Sequence, residues 1–110
     1  MWIVKTDGAL LEINPDKQPI GYVSSEPQDF SLNTIQLQKG DTVYQFSDGY
    51  ADQFGGEKGK KFKYNQLKEL LSKSKDTEMH EQLNILKNSF EKWKGNLVQI
   101  DDVLVTGIRI

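Results

Sequence analysis

Two aspartates at the ends of predicted strands are the residues of this sequence best placed for chemistry. In the alternating segment before Asp48, the side chains of Tyr44, Phe46 and Asp48 project to one side, so a carboxylate emerges where an apolar face ends. Asp101 begins the closing apolar segment, on the side of Val103. If the two strands are antiparallel neighbours, these ends meet at one edge of the sheet. Converging carboxylates repel unless a hard cation lies between them, and oxygen ligands favour Mg²⁺ or Mn²⁺.

Each aspartate also has an ordinary structural interpretation. Asp48-Gly49 fits the two-residue type I′ turn of a β-hairpin, and Asp101-Asp102 fits the polar residues that often precede a strand. Spacing alone favours the turn. The pattern by itself therefore leaves both interpretations open.

The remaining polar motifs do not complete a catalytic arrangement. The segment 55–61 (GGEKGKK) lacks both the leading glycine and the hydroxyl residue of a P-loop, so we expect a flexible basic loop there. His80 is the single histidine, and we expect it on the exposed surface of a helix. No Ser/His/Asp triad can be assembled around it.

Length and composition exclude several classes of protein. A chain of 110 residues fits one small domain and leaves no room for two. With 14 basic and 16 acidic residues, its net charge of -2 predicts neither a nucleic-acid partner nor membrane contact by this segment. The absence of cysteine excludes disulfides and zinc-thiolate sites, and the longest apolar run, Met1 to Val4, is too short for a membrane span or a signal peptide. We therefore expect a cytoplasmic protein.

Short apolar runs and turn residues predict the strands of the first half. Runs at Trp2 to Val4 and Leu10 to Ile13 flank Asp7-Gly8 and predict an opening hairpin. Strands at 34–37 and 42–47, around a turn at 39–41, predict a second hairpin. The segment 14–32, rich in Pro and Ser, reads as a long loop that is a candidate lid or substrate border.

Helical periodicity dominates the second half. Leucines on one face predict a helix over about 64–73, and a longer apolar stripe predicts a second helix. Asp76 or Thr77 is the expected cap at the start of the second helix, and Gly95 suits its end. The stripe consists of Met79, Leu83, Leu86, Phe90 and Trp93.

The closing strand, 103–110, is apolar on both faces. Val103 and Val105 face one way, and Leu104, Ile108 and Ile110 face the other. Helices are expected to cover one face, whereas the second has no evident cover in this chain. Self-association as a homodimer is one way to cover it.

Several motifs resemble those of a known family. The sequence FSDGYADQFGG over 46–56, together with DDVLV over 101–105, resembles the metal-dependent protein phosphatases of type 2C. Within them it looks most like the stage-II-sporulation-E-type serine phosphatases of bacterial signalling. The segments KQPIG at 17–21, KGDT at 39–42 and WKG at 93–95 are similar to that branch too, so the resemblance covers essentially the whole chain.

The resemblance implies an α+β fold, part of an α/β/β/α sandwich of mostly antiparallel sheet packed with helices. It also implies a site for two Mg²⁺ or Mn²⁺ ions at the sandwich edge. Asp48, followed by Gly49, matches one metal-binding position, and Asp101 matches the late metal-binding Asp. Asp52 matches a position that binds an additional metal in some members of the family. Asp102 matches a position that is often Asn in relatives. A metal-activated water would attack phosphoserine or phosphothreonine, without a covalent protein intermediate.

One departure from the family pattern is large. The earlier family motif, an Asp followed by a Gly-His-Gly segment that bridges both metals, has no match here. We therefore expect this chain to be the C-terminal part of a catalytic domain, inactive or nearly so alone, in a longer protein with upstream sensor or receiver domains. The resemblance implies a phosphorylated regulatory protein as substrate.

Two other functions are consistent with the residues. One is a non-catalytic phosphatase-like interaction or sensor module. The other is a free-standing small α+β protein in which the aspartates only form turns. If the enzyme interpretation holds, the basic side chains of the 55–61 segment are expected to border the substrate cleft, namely Lys58, Lys60 and Lys61.

Overall fold

The structure is a computed structural model that describes residues 1–14, 32 and 34–110. Most of the loop predicted over 14–32, and the whole KQPIG segment at 17–21, lie outside the described residues. The elements in chain order are β1 (Trp2–Val4), β2 (Leu10–Glu12), β3 (Thr42–Phe46), α1 (Gly49–Asp52), β4 (Phe54–Gly55), β5 (Lys60–Lys61), α2 (Tyr64–Lys73), α3 (Met79–Lys94) and β6 (Val105–Arg109).

The main sheet has four strands in the order β2-β1-β3-β6, and each neighbouring pair is antiparallel. The predicted opening hairpin is confirmed, since β1 pairs with β2 across the Asp7-Gly8 turn. Gly8 has a φ of 91°, a backbone conformation that glycine adopts without steric cost. The turn is closed by the amide of Lys5, which donates to the carbonyl of Ala9 at 2.8 Å.

The predicted second hairpin is wrong, because residues 34–37 form no strand. The β-character of 42–47 is confirmed in β3, but both edges of β3 are already paired. Its neighbours are β1 on one side and β6 on the other. Because both edges of β3 are paired with strands distant in the sequence, no edge is free for residues 34–37 to pair with it as a hairpin.

The two long helices begin and end close to the predicted residues, and they pack on one face of the sheet around an aromatic and leucine core. Leu67 and Leu71 of α2 are fully buried, as the leucine face predicts. The longer helix ends at Lys94, and Gly95 follows it with a φ of 54° and donates its amide to the carbonyl of Glu91, as expected of a glycine after a helix. No helix of the described residues is both long and apolar enough to cross a membrane.

The predicted cap of α3 is wrong. The helix begins at Met79, and Glu78 precedes it without a side-chain capping bond. Thr77 instead donates its hydroxyl to the carbonyl of Ser74 at 2.6 Å, and Asp76 pairs with Lys75 at 2.9 Å. Both side chains are therefore engaged in the connection between α2 and α3.

The predicted apolar stripe of α3 is wrong at one position. Leu83 is 44% exposed, and the neighbouring Gln82 is buried in its place. Gln82 accepts a hydrogen bond from the Tyr44 hydroxyl at 2.5 Å and donates to the carbonyl of Ser74 at 2.6 Å. A polar side chain is stable in the core when its groups are paired in this way.

The two faces of the closing strand differ as predicted. Val103 and Val105 pack partly against the core, whereas Leu104, Ile108 and Ile110 are at least half exposed. The regular strand is shorter than the predicted 103–110, because it begins at Val105 and ends at Arg109.

Candidate metal centre

The end of β3 and the start of β6 meet at one edge of the sheet. Phe46, the last residue of β3, pairs with Val105, the first residue of β6. Asp48 therefore lies just after the end of β3, and Asp101 and Asp102 lie just before the start of β6. The condition set for these ends to meet, that the two strands are antiparallel neighbours, is therefore fulfilled. We call this region, residues 47–49 and 101–104, the β3–β6 junction.

Ser47 holds the β3–β6 junction together. Its amide donates to the carbonyl of Leu104 at 2.9 Å, and its hydroxyl donates to the carbonyl of Asp102, also at 2.9 Å. The same hydroxyl oxygen accepts from the amide of Leu104 at 3.0 Å. Three hydrogen bonds thus fix the backbone beside Asp48 against the backbone beside Asp101.

Gly49 makes this close approach possible. It is buried, and a Cβ atom at its position would lie 2.1 Å from the carbonyl oxygen of Asp102, far inside van der Waals contact. Gly49 begins α1, and Asp48 has helical backbone angles of φ -69° and ψ -16°. The type I′ turn that spacing favours is therefore wrong, because such a turn needs a positive φ at both central residues.

The exposed carboxylate of Asp48 accepts a hydrogen bond from the hydroxyl of Tyr64, with 2.5 Å between the phenol oxygen and Oδ1. Tyr64 is the first residue of α2 and lies 16 positions further along the chain. This hydrogen bond, with burial and the negative charges of Asp48 and Asp52, raises the pKa of Tyr64 to about 12. The phenol thus stays protonated and remains a donor at neutral pH.

We expect the raised pKa of Tyr64 to depend on Asp48. In the metal-free protein the raised pKa makes the folded state less stable as the pH rises from 10.0, the ordinary pKa of tyrosine, through about 12, because deprotonation places a phenolate beside the negative charge of Asp48. In Asp48→Asn, the midpoint for Tyr64 should fall back toward its ordinary value. An NMR titration of the phenolic carbon measures it, with Tyr44, whose pKa is raised mainly by burial, as internal control. An unchanged Tyr64 midpoint would show that Asp48 does not cause the shift.

The other predicted acidic residues have separate partners. Asp52 ends α1 and lies 3.5 Å from the ammonium group of Lys61, with both side chains more than a third exposed. Asp101 is exposed, and its Oδ1 accepts from the amide of Asp102 at 2.8 Å. Asp102 is exposed as well, and its carbonyl is the group that contacts Ser47.

The predicted basic loop is a short hairpin rather than a flexible segment. Strands β4 and β5 pair antiparallel, and Gly56 and Gly59 in the connection adopt positive φ values. Lys58 and Lys60 are exposed, and Lys61 lines an open pocket of about 300 Å³ that it shares with Asp52 and Tyr64. Of the three predicted lysines, only Lys61 lines this pocket. His80 is exposed on α3, as predicted.

Asp41, in the KGDT segment, has a structural role. Its carboxylate is fully buried and accepts hydrogen bonds from the ammonium group of Lys5 at 2.5 Å, the amide of Gln38 at 2.8 Å and the amide of Thr6 at 3.1 Å. The Lys5 hydrogen bond, followed by the Gln38 amide, lowers the pKa of Asp41. This residue fixes the turn before β3 to the opening hairpin, at the end of the strand away from Asp48.

The donors at the β3–β6 junction suit a hard cation but form only part of a cage. Asp48 and Asp101 offer carboxylate oxygens, the ligands that Mg²⁺ and Mn²⁺ prefer. Across residues 1–14, 32 and 34–110, no three acidic, histidine or cysteine side chains lie close enough together to hold a metal ion. A third acidic, histidine or cysteine ligand would therefore have to come from outside these residues.

Comparison with known proteins identifies the family. The sequence matches the family described as Stage II sporulation protein E (SpoIIE) over residues 1–110. A solved structure, the SiaA-PP2C domain of Pseudomonas aeruginosa, superposes with a TM-score of 0.82 at 24% sequence identity, which supports a PP2C-type α+β fold. No curated protein matches.

The chain belongs to the stage II sporulation protein E family, whose members carry phosphatase domains of the PP2C type. The predicted family and the predicted α+β fold class are therefore confirmed. The superposition covers 99% of this chain and 42% of the SiaA-PP2C chain. This chain thus spans less than half the length of the domain that it resembles.

Proposed function

We propose that this chain is the C-terminal part of a Mg²⁺- or Mn²⁺-dependent protein serine/threonine phosphatase that acts on a phosphorylated regulatory protein in bacterial signalling. The observation that carries the proposal is the β3–β6 junction, where Ser47 and Gly49 hold the backbones beside Asp48 and Asp101 together. The 42% coverage of the SiaA-PP2C chain supports a larger intact domain. Upstream sensor or receiver domains and a cytoplasmic location belong to the same proposal.

Asp48 and Asp101 would hold the metal, and Asp52 would be a ligand for an additional ion. The backbones of Gly49 and Asp102 pack closely beside Asp48 and Asp101. Bound divalent ions would lower the pKa of a water and neutralise the phosphoryl oxygens. The residues of this chain orient the site. Ser47 fixes the spacing of the two backbones, and the absence of a side chain at Gly49 lets them approach closely.

Removal of divalent metal is expected to abolish phosphate release from a phosphoserine peptide by the intact protein that carries this chain. Chelation with EDTA should stop turnover, and excess Mn²⁺ should restore it, because water attack depends on the bound ions. Ca²⁺ at the same concentration is the control, since it prefers longer and more flexible coordination than Mg²⁺. Turnover that survives exhaustive chelation would exclude the metal-dependent mechanism.

The lysines of the β4–β5 hairpin are proposed to border the substrate. Lys61 lines the pocket beside Asp52 and Tyr64, and Lys58 and Lys60 extend from the same hairpin. Changing all three to Ala should raise KM for a phosphoprotein roughly tenfold, because rim charges mainly guide association, while KM for a small aryl phosphate changes little. A matched variant with Lys73, Lys87 and Lys92 changed to Ala controls for net charge. Equal effects on the two substrates would remove this assignment.

The second candidate function is a non-catalytic phosphatase-like module, because the set of metal ligands in the described residues is incomplete. The described residues contain no three-ligand cluster, and the Gly-His-Gly segment has no match in the sequence. Such a module would bind a phosphorylated partner without releasing phosphate. Phosphopeptide binding by the intact protein, with no phosphate release at saturating Mn²⁺, would favour this function over the enzyme.

A further inference from the structure

The geometry points to Tyr64 as the positioning residue that orients the Asp48 carboxylate for its metal ion. This inference rests on the proposed function. The phenol donates to Oδ1 of Asp48 at 2.5 Å, the short distance typical of an O–H group that donates to a carboxylate. A carboxylate has about four acceptor sites, so one hydrogen bond fixes its rotation and leaves sites for a cation.

The ring of Tyr64 is itself fixed by aromatic neighbours. Its centroid lies 5.9 Å from that of Trp2, in an edge-on arrangement, and 5.9 Å from that of Phe46. Trp2 is only 6% exposed and belongs to the core. Phe46 lies on β3, two residues before Asp48, so the phenol packs on the strand that leads to the carboxylate. The core thus determines where the hydroxyl points.

The backbone before Tyr64 is also constrained. Lys63 has a φ of 70° and a ψ of 156°, which makes it the one described residue other than glycine with a positive φ. Its amide donates to the carbonyl of Ala51 in α1 at 2.8 Å, and the amide of Phe62 donates to the carbonyl of Gln53 at 2.9 Å. Strained backbone persists only where its surroundings hold it, and here it sets the start of α2 against α1. The element that carries Tyr64 is therefore tied to the element that follows Asp48.

A positioning role and a merely structural role predict different results for Tyr64→Phe. The substitution keeps the ring and removes only the hydroxyl. Tyr64 is 37% exposed, so water replaces the lost donor at Asp48 and stability should change little. Outer residues that orient a metal ligand typically change metal affinity by about 10- to 100-fold. Affinity for the metal and stability of the fold can thus be measured separately.

The experiment is a calorimetric titration with Mn²⁺ of the intact protein that carries this chain, alongside thermal unfolding. Tyr64→Phe should weaken Mn²⁺ binding by about 10- to 100-fold with an unchanged Tm. The matched control is Tyr44→Phe, which removes a hydroxyl that also donates at 2.5 Å, but to the buried Gln82. That variant should lower Tm and leave Mn²⁺ affinity unchanged. Asp48→Asn tests the ligand itself.

The outcomes separate the inference from the proposed function. If Asp48→Asn loses Mn²⁺ binding and Tyr64→Phe binds like the unaltered protein, Tyr64 has no positioning role and the metal site stands. If Tyr64→Phe weakens binding only in proportion to a loss of Tm, its role is structural and the inference is wrong. If Asp48→Asn binds Mn²⁺ normally, the proposed metal site is wrong and the inference falls with it.

Discussion

Asp48→Asn is expected to lower Mn²⁺-dependent turnover of a phosphoserine peptide by at least about 100-fold in the intact protein. The amide has nearly the shape of the carboxylate but carries no negative charge, so it is a poor ligand for Mg²⁺ or Mn²⁺. Asp48 is exposed, and the fold should therefore survive the change. Phosphate release under saturating Mn²⁺, with unfolding followed in parallel, measures both effects.

Asp76→Asn is the matched control for this substitution. Asp76 is also an exposed aspartate, with a side chain 85% exposed, and it pairs with Lys75 in the connection after α2. Its neutralisation changes the net charge by the same amount and should leave turnover unaltered. Equal turnover in the Asp48 variant and the unaltered protein would exclude Asp48 as a ligand.

Gly49→Ala is expected to open the β3–β6 junction and abolish Mn²⁺ binding. The new methyl group would lie 2.1 Å from the carbonyl oxygen of Asp102 and 3.2 Å from Cγ2 of Val103. Because the nearest obstacle is backbone, one strand end must move, which breaks the Ser47 hydrogen bonds across the junction. Overpacking of this kind costs about 1–3 kcal/mol, and urea unfolding measures it.

Gly8→Ala separates backbone strain from damage to the β3–β6 junction. Gly8 has a φ of 91° and lies in the turn of the opening hairpin, at the end of the sheet where β3 begins rather than where it ends. This variant should lose stability through its φ alone and keep its Mn²⁺ affinity. If Gly49→Ala also kept its affinity for Mn²⁺, the metal would not depend on the close approach of the two strand ends.

Local patterns predicted the elements whose stability is decided locally. The leucine spacing predicted the bounds of α2, and Gly95 predicted where α3 ends, both to within about one residue. Asp7-Gly8 correctly predicted the turn of the first hairpin. The type I′ interpretation of Asp48-Gly49 failed although its dipeptide signal is as strong. There the buried Tyr50 and Ala51 make the chain enter α1 directly after β3.

Long-range contacts account for what the sequence did not reveal. Nothing near 34–37 indicates that β1 and β6 occupy both edges of β3. The partners of Gln82 and of Asp48 are tyrosines 38 and 16 residues away, beyond any periodic pattern. The pairing of β3 with β6 was predictable because each segment shows an apolar face with an aspartate beyond its end. The metal-binding role of Asp48 and Asp101 remains a prediction.

The most direct test is anomalous diffraction from crystals of the intact protein grown with Mn²⁺. If Asp48 and Asp101 share a divalent ion, a manganese peak will lie within about 2.0–2.6 Å of a carboxylate oxygen from each residue. A second peak within about 3.5–4 Å of the first would match a two-metal centre. Manganese bound elsewhere, with these two carboxylates apart and free of metal, would contradict the phosphatase site.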